Sequence, residues 1–293
     1  MMKNRHRVFC AAMGCVLLLC AKVSADIPTE RIEQAGFAPE RLQKINEFVQ
    51  RDIEAGRVSG AVTLVARYGQ LVHFSAQGNF GSDDARPLQE DNLFRIYSMT
   101  KPITTVAAMM LYEAGAFHLS DPISRYLPEF ESVQLLRDGK LVAPQRPVTI
   151  GQLMTHTAGL SYGWHPNDPV DQAYAKADLI NSTSSDDFIQ RLSGLPLRFE
   201  PGSRYHYSVA TDVLGVLVER LSGMSLEAFF QTRIFAPLGM TDTFFNVPSD
   251  KLDRFAPNHY WNAQLGAIAP IPEASAQPFT GVTTFSGGGG LVS

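Results

Sequence analysis

Cysteine is absent from residues 26–293, because Cys10, Cys15 and Cys20 all lie within the first 25 residues of this 293-residue chain. The remaining region therefore offers neither a disulfide framework nor cysteine ligands for a metal. Charge is also scarce: charged residues make up 18% of the chain, and the formal net charge is −4. No basic excess points to a nucleic-acid partner. Hydrophobic residues make up 45%, which indicates a globular protein with an apolar core.

The first 25 residues have the three parts of a secretory signal peptide. Basic residues at the start are followed by an apolar run over residues 8–21, which is too short to span a bilayer comfortably. Small residues then precede a predicted cleavage site between Ala25 and Asp26. We expect an exported protein, periplasmic or secreted, with no stable membrane anchor. A lipid anchor is disfavoured because Cys15 lies inside the apolar run and Cys20 follows leucines.

Residue spacing after the leader predicts helices and one hairpin. Apolar residues at spacings of three and four predict helices over 39–55, 98–116 and 209–221. Residues of high β propensity on both sides of Tyr68-Gly69-Gln70 predict a hairpin over 60–81. No repeat or convincing linker divides the rest of the chain, so residues 26–293 are predicted to form one domain.

The central chemical signal is Ser98-Met99-Thr100-Lys101. Spacing of three residues on a helix puts Ser98 and Lys101 on one face. A serine hydroxyl becomes a good nucleophile when a neighbouring group takes its proton, and a suitably placed lysine can do this. A helix N-terminus also favours developing negative charge. The tetrapeptide alone is weak, because a capping serine before a solvated lysine gives the same pattern. Its position at the start of an apolar helix favours the nucleophile.

The segment over residues 94–104 resembles the nucleophile segment of serine β-lactamase-like proteins, most closely class C β-lactamases and family VIII carboxylesterases. Four further segments agree in the same order: residues 127–130, 153–160, 201–208 and 237–243. The resemblance covers about residues 30–293. It implies an α/β (α+β) fold, in which a β-lactamase/transpeptidase-like antiparallel sheet with helices is joined to a mainly helical region over about 105–245. It also implies a reaction that needs no metal and no organic cofactor.

The resemblance assigns a second proton-transfer role to Tyr207 in Tyr207-Ser208-Val209. Tyr205 is the rival, and Tyr207 is preferred because it directly precedes the residues that open the next helix. Val209 departs from the lactamase form, which usually carries asparagine there. Because an apolar side chain cannot hydrogen-bond the amide group of a β-lactam substrate, Val209 favours an esterase.

Two other nucleophile arrangements can be drawn from the sequence. The segment over residues 159–163 matches the Gly-x-Ser-x-Gly elbow of α/β-hydrolases, but its flanks suit neither the preceding strand nor the following helix that an elbow needs. A Ser-His triad through His156 is disfavoured, since single histidines near loops are more often structural. Tyr97, Tyr162 and Trp164 are predicted to bind substrate instead.

The third motif of the family, Lys-Thr-Gly, His-x-Gly or Trp-Gly-Gly on a late strand, does not occur in the sequence. The resemblance puts that strand after the glycine run at residues 287–290, where the sequence stops soon afterwards. We therefore expect the domain over 26–293 to lack its C-terminal strands, with the activity of this chain left open.

The predicted function is a serine hydrolase that works through an acyl-enzyme, an esterase on small acyl esters. The alternatives are a β-lactamase or D-Ala-D-Ala carboxypeptidase, and a non-catalytic penicillin-binding-like protein. The expected partner is a small-molecule ester or amide substrate.

Overall fold

The computed structural model describes residues 27–272 and 279–293, so the predicted signal peptide lies outside the described residues. The chain forms two compact units. Of the described residues, one unit comprises 27–47 together with 63–75, and the other comprises 48–62, 76–272 and 279–293. The single domain over 26–293 stays a prediction.

Helices dominate the described chain. In chain order they are α1 Thr29–Gln34, α2 Pro39–Glu54, α3 Thr100–Glu113, α4 Ile150–Met154, α5 Pro169–Ala177, α6 Ser185–Ser193, α7 Ala210–Ser222, α8 Leu226–Phe230 and α9 Ala236–Leu238. A π-helical stretch, Gln231–Phe235, joins α8 to α9. The helices predicted over 39–55 and 209–221 are confirmed as α2 and α7.

The described strands form three two-stranded sheets. They are β1 Gly60–Arg67, β2 Gln70–Gly78, β3 Leu135–Arg137, β4 Lys140–Val142, β5 His259–Asn262 and β6 Ala267–Pro270, which pair as β1-β2, β3-β4 and β5-β6. The predicted hairpin is confirmed by β1 and β2. Its turn has positive φ at Tyr68 (52°) and Gly69 (71°), as a two-residue hairpin turn of type I′ requires.

The first unit has a small apolar core of its own. Ala35, Leu42 and Val72 are buried there. His73 adds a polar contact, because its Nε2 lies 2.8 Å from the Thr63 hydroxyl. Burial lowers the pKa of His73, so the neutral imidazole is favoured.

The second unit is built around α3 and α7, which pack against each other. The buried face of α7 includes Val213, Leu214 and Leu217, and Gly223 ends the helix with φ of 69°. Helices, with the β3-β4 hairpin among them, fill residues 105–245, as expected. The predicted mixed fold of antiparallel pairs and helices is therefore confirmed. Within the described residues, no helix combines the length and apolar character needed to cross a membrane.

Residues 291–293 lie beside the segment that leads to Ser98. The Phe94 N–H donates to the Ser293 carbonyl at 2.9 Å, and the Ile96 N–H donates to the Leu291 carbonyl at 3.0 Å. Leu291 and Val292 are buried. These backbone contacts fix the path of the chain directly before the predicted nucleophile.

Candidate active site

Ser98 lies on a 3-10 turn, Tyr97–Met99, that leads into α3. The α-helix thus begins two residues later than predicted, because the Met99 N–H bonds to the carbonyl of Ile96, three residues back, at 2.9 Å. Tyr97 has φ of 44°, a left-handed conformation that is uncommon for residues other than glycine. Such strained backbone is concentrated at functional sites. The turn leaves Ser98 exposed to solvent.

Two polar side chains converge on the Ser98 hydroxyl. The Tyr207 hydroxyl donates to Ser98 Oγ at 2.6 Å, and Lys101 Nζ donates to the same oxygen at 3.3 Å. Tyr205, the rival tyrosine, is 64% exposed, and its ring packs edge-on against His156. The structure therefore brings Ser98, Lys101 and Tyr207 together.

Lys101 has two further acceptors. Its Nζ donates to the Gly288 carbonyl at 2.6 Å and to the Tyr162 hydroxyl at 3.1 Å. With Ser98 Oγ, these make three acceptors for the three N–H donors of an ammonium group. The Tyr207 ring adds a cation–π contact, with its centroid 4.7 Å from Nζ. Tyr162, predicted as a substrate-binding residue, is thus also a direct partner of Lys101.

Asp212, in the first turn of α7, belongs to the same network. Its carboxylate accepts hydrogen bonds from the Ser286 hydroxyl at 2.5 Å and the Gly288 N–H at 2.9 Å, and a long one from the Tyr162 hydroxyl at 3.5 Å. Desolvation is the largest effect on Asp212 and raises its pKa. The hydrogen bonds and the charge of Lys101 act in the opposite direction and are smaller. Desolvation first and the Asp212 charge second raise the pKa of Tyr162, so its phenol keeps its proton.

Asp212, Ser286 and Gly288 were not among the predicted site residues. An acidic residue five positions after Tyr207, in the first turn of a predicted helix, was available as a signal. The same pattern is typical of an ordinary acidic residue at a helix start, where it complements the helix dipole. The partners from the glycine run could not be assigned, because they lie over 70 residues further along the chain.

A cavity of about 460 Å³ opens beside Ser98. The three predicted substrate-binding residues all line it, and Tyr162 stacks on Trp164 with ring centroids 4.6 Å apart. Much of the remaining lining is apolar: Leu179, Ile180, Phe188, Val209, Val216 and Phe285. This arrangement suits a ligand with an apolar part and a polar reacting centre.

Val209 precedes α7 and is buried with 5% exposure. It lies two residues after Tyr207 and contributes a hydrocarbon side chain to the cavity wall. The position therefore offers no side-chain hydrogen bond to a bound substrate.

His156 stands behind Tyr207. Its ring centroid lies 4.7 Å from that of Tyr207, and its Nδ1 accepts a hydrogen bond from the Ser208 N–H at 3.3 Å. Burial first, and the charge of Lys101 second, lower the pKa of His156 to about 4. The neutral imidazole thus packs against the tyrosine, and the contacts it makes are those of a supporting residue.

Ser161, the serine of the Gly-x-Ser-x-Gly segment, is buried with 1% exposure. Its hydroxyl donates to Asp171 Oδ1 at 2.6 Å and lies 3.1 Å from His206 Nε2. Neither a strand before it nor a helix directly after it is present, since α5 begins at Pro169. The segment therefore lacks the strand-turn-helix form of a nucleophile elbow.

Within residues 27–272 and 279–293, no three or more His, Cys, Asp or Glu side chains are arranged to hold a metal ion.

Comparison with known proteins identifies the family. The β-lactamase family model matches residues 45–293. The chain is 37% identical over 241 residues to Esterase EstB of Burkholderia gladioli, covering 78% of this chain and 59% of that protein. An uncharacterized protein of Mycobacterium tuberculosis is 40% identical over 208 residues, covering 69% of this chain and 51% of that protein. The chain thus spans between half and three fifths of the length of these relatives.

A solved structure agrees with the sequence match. EstCE1, described as a hydrolase with promiscuous acyltransferase activity, superposes with a TM-score of 0.74 at 30% identity, covering 87% of this chain and 69% of that chain. The chain belongs to the β-lactamase family, and the resemblance found in its sequence is confirmed.

Proposed function

We propose that this chain belongs to a serine hydrolase that cleaves small acyl esters through an acyl-enzyme, with Ser98 as nucleophile and Lys101 and Tyr207 as proton-transfer groups. One observation carries the proposal: both side chains direct a polar hydrogen-bonding atom at Ser98 Oγ, at 3.3 and 2.6 Å, on the edge of an accessible cavity. This is the arrangement that nucleophilic catalysis by serine needs.

The proposed reaction has two halves. In the reactive form the Lys101–Tyr207 pair has lost one proton, so it accepts the proton of Ser98 Oγ as that oxygen attacks the ester carbonyl. When the C–O bond to the alcohol breaks, that proton leaves with the alcohol, and the acyl group stays on Ser98. A water molecule then attacks the acyl-enzyme, gives one proton to the pair and releases the acid, while the pair returns a proton to Ser98.

The cavity lining supports an ester substrate over a β-lactam. Val209 offers no hydrogen bond to an amide group, and the apolar wall around Phe188 and Val216 suits an acyl chain. The names of EstB and EstCE1, an esterase and a hydrolase, point in the same direction.

The experiment compares wild type and Ser98→Ala in the full-length protein, with p-nitrophenyl butyrate and a chromogenic cephalosporin as substrates. We expect the wild type to hydrolyse the ester much faster than the cephalosporin, and Ser98→Ala to lose about 10³-fold or more of the ester activity. Faster cephalosporin cleavage would favour the lactamase. A fully active Ser98→Ala variant would refute the nucleophile.

We also propose that the protein is exported after cleavage between Ala25 and Asp26. The basic start, the apolar run over 8–21 and the small residues before Asp26 support this. Mass spectrometry of protein from periplasm and medium is expected to find Asp26 as the N-terminus. Cytoplasmic protein that retains Met1 would contradict the proposal.

A further inference from the structure

Asp212 is a charged side chain beside the catalytic groups that the proposed reaction does not use. It is the third residue of α7, partly exposed to the cavity, and three hydrogen-bond donors point at its carboxylate. Its position matters because its partners are also the partners of Lys101.

Both acceptors that Lys101 has besides Ser98 are tied to Asp212. Gly288 accepts from Lys101 Nζ through its carbonyl at 2.6 Å and donates its N–H to Asp212 Oδ1 at 2.9 Å. Tyr162 accepts from Lys101 at 3.1 Å and donates to Asp212 Oδ2 at 3.5 Å. One carboxylate therefore holds two of the three groups that fix the ammonium.

The fit around this carboxylate is tight. A Cβ added at Gly288 would lie 2.3 Å from Asp212 Oδ2, so the backbone approaches the carboxylate as closely as only glycine permits. At Gly287 an added Cβ would lie 2.9 Å from the Thr211 carbonyl, and the Gly287 carbonyl accepts from the Thr104 hydroxyl at 2.7 Å. The glycine segment is thus held between α3 and α7, with Asp212 as its polar anchor.

We infer that Asp212 is a positioning residue for Lys101: it holds the Gly288 carbonyl and the Tyr162 hydroxyl in place, and its negative charge balances the ammonium beside Ser98. The inference rests on the proposed function. In this role Asp212 acts through Lys101.

The test is Asp212→Asn, which keeps the shape of the side chain. An amide presents an NH₂ group where a carboxylate accepts, so at least one of its three donors loses its partner. The titratable groups around this site are Lys101, Tyr162, Tyr207 and, packed on Tyr207, His156. Removing the negative charge favours proton loss from the site, so the rising limb of kcat/KM against pH is expected to move to lower pH.

We expect Asp212→Asn to lower kcat about 10- to 100-fold toward p-nitrophenyl butyrate, with KM changed less than about threefold, because misplacement of a proton-transfer group affects chemistry more than binding. Asp187→Asn is the matched control. Asp187 is likewise the third residue of a helix, α6, and is partly exposed, but it does not line the cavity. Its activity should stay within about twofold of wild type.

Hydrogen exchange gives a second readout that needs no turnover. Backbone amide hydrogens in the peptide that covers residues 286–290 should exchange faster in Asp212→Asn than in wild type or Asp187→Asn. Circular dichroism should show that all three proteins are folded. A variant with wild-type kcat and wild-type pH profile would overturn the inference. If the wild type hydrolyses no ester, the proposed function fails. Hydrogen exchange then still tests the inference: if residues 286–290 exchange equally fast in Asp212→Asn and wild type, Asp212 does not hold this segment.

Discussion

The hydroxyls of Ser98 and Tyr207 lie 2.6 Å apart although 109 residues separate them in the chain. The packing of α3 against α7 creates this proximity, because Ser98 lies two residues before α3 and Tyr207 three residues before α7. Gly287 lies in the same interface, with its virtual Cβ 3.3 Å from the Gly215 Cα. The distance between the Ser98 and Tyr207 hydroxyls therefore depends on helix packing as well as on the two side chains.

Tyr207→Phe removes this hydroxyl while it preserves the ring that packs on His156. We expect kcat/KM for p-nitrophenyl butyrate to fall about 10²- to 10⁴-fold, the usual contribution of a general acid–base group. Tyr205→Phe is the control, because Tyr205 is 64% exposed, and its activity should match wild type. The assignment of Tyr207 is wrong if Tyr205→Phe loses this activity and Tyr207→Phe keeps it.

Ser161 gives a second prediction, through labelling with a serine-reactive phosphonate. The reagent should modify Ser98, which is exposed, and spare Ser161, which is 1% exposed and donates to Asp171. Ser161→Ala should still be labelled at Ser98. The free energy of unfolding of Ser161→Ala should be lower by about 1–3 kcal/mol, because the buried Asp171 loses a hydrogen-bond donor. Peptide mapping that finds the label on Ser161 in folded wild type would restore the elbow interpretation.

Local patterns were enough to predict the helices α2 and α7, the β1-β2 hairpin and the segment that carries Ser98 and Lys101. These features depend on residues close together in the chain, where spacing and propensity act directly. Tyr207 was predicted from the family resemblance, and its place before the residues that open a helix decided between it and Tyr205. The start of α3 was predicted two residues early, because periodicity does not separate a 3-10 turn from the first turn of an α-helix.

The rest of the site depends on contacts between distant segments. No local pattern joins Asp212 to Gly288, 76 residues later, or Lys101 to Gly288, 187 residues later. Similarly, Tyr162 was predicted to line the substrate cavity, which it does, but its bond to Lys101 appears only once the fold brings them together. Long-range pairing of polar groups is therefore the part of the site that sequence alone could not provide.

The cavity wall leads to a prediction about acyl length. Val216 lies on α7 with 6% exposure and lines the cavity, so Val216→Leu would fill part of it. We expect the ratio of kcat/KM for p-nitrophenyl octanoate over butyrate to fall about tenfold, since one methylene in a pocket has an effect of this order. Val218→Leu is the matched control: Val218 is fully buried on the same helix and does not line the cavity. An equal change of the ratio in both variants would place acyl recognition elsewhere.

The last prediction concerns stability against acid. In the folded protein burial lowers the pKa of His156 to about 4, below the value of 6.5 that an unperturbed histidine has. The unfolded chain thus binds a proton more readily than the folded chain, and this contribution to stability is fully present above pH 6.5. It is lost progressively as the pH falls from 6.5 to 4. The variant for the test is His156→Asn, because asparagine does not titrate and tolerates the positive φ of 53° at this position.

Urea unfolding at pH 7.5 and pH 5.0 should show a smaller loss of unfolding free energy for His156→Asn than for wild type, by about 1 kcal/mol after allowance for partial exposure to solvent. The pKa values of His73, His206 and His259 are also lowered by burial. These three residues are common to both proteins, so the difference between the proteins isolates His156. Parallel pH dependence in the two proteins would show that His156 is protonated equally in folded and unfolded chains, and would remove the argument for a neutral imidazole behind Tyr207.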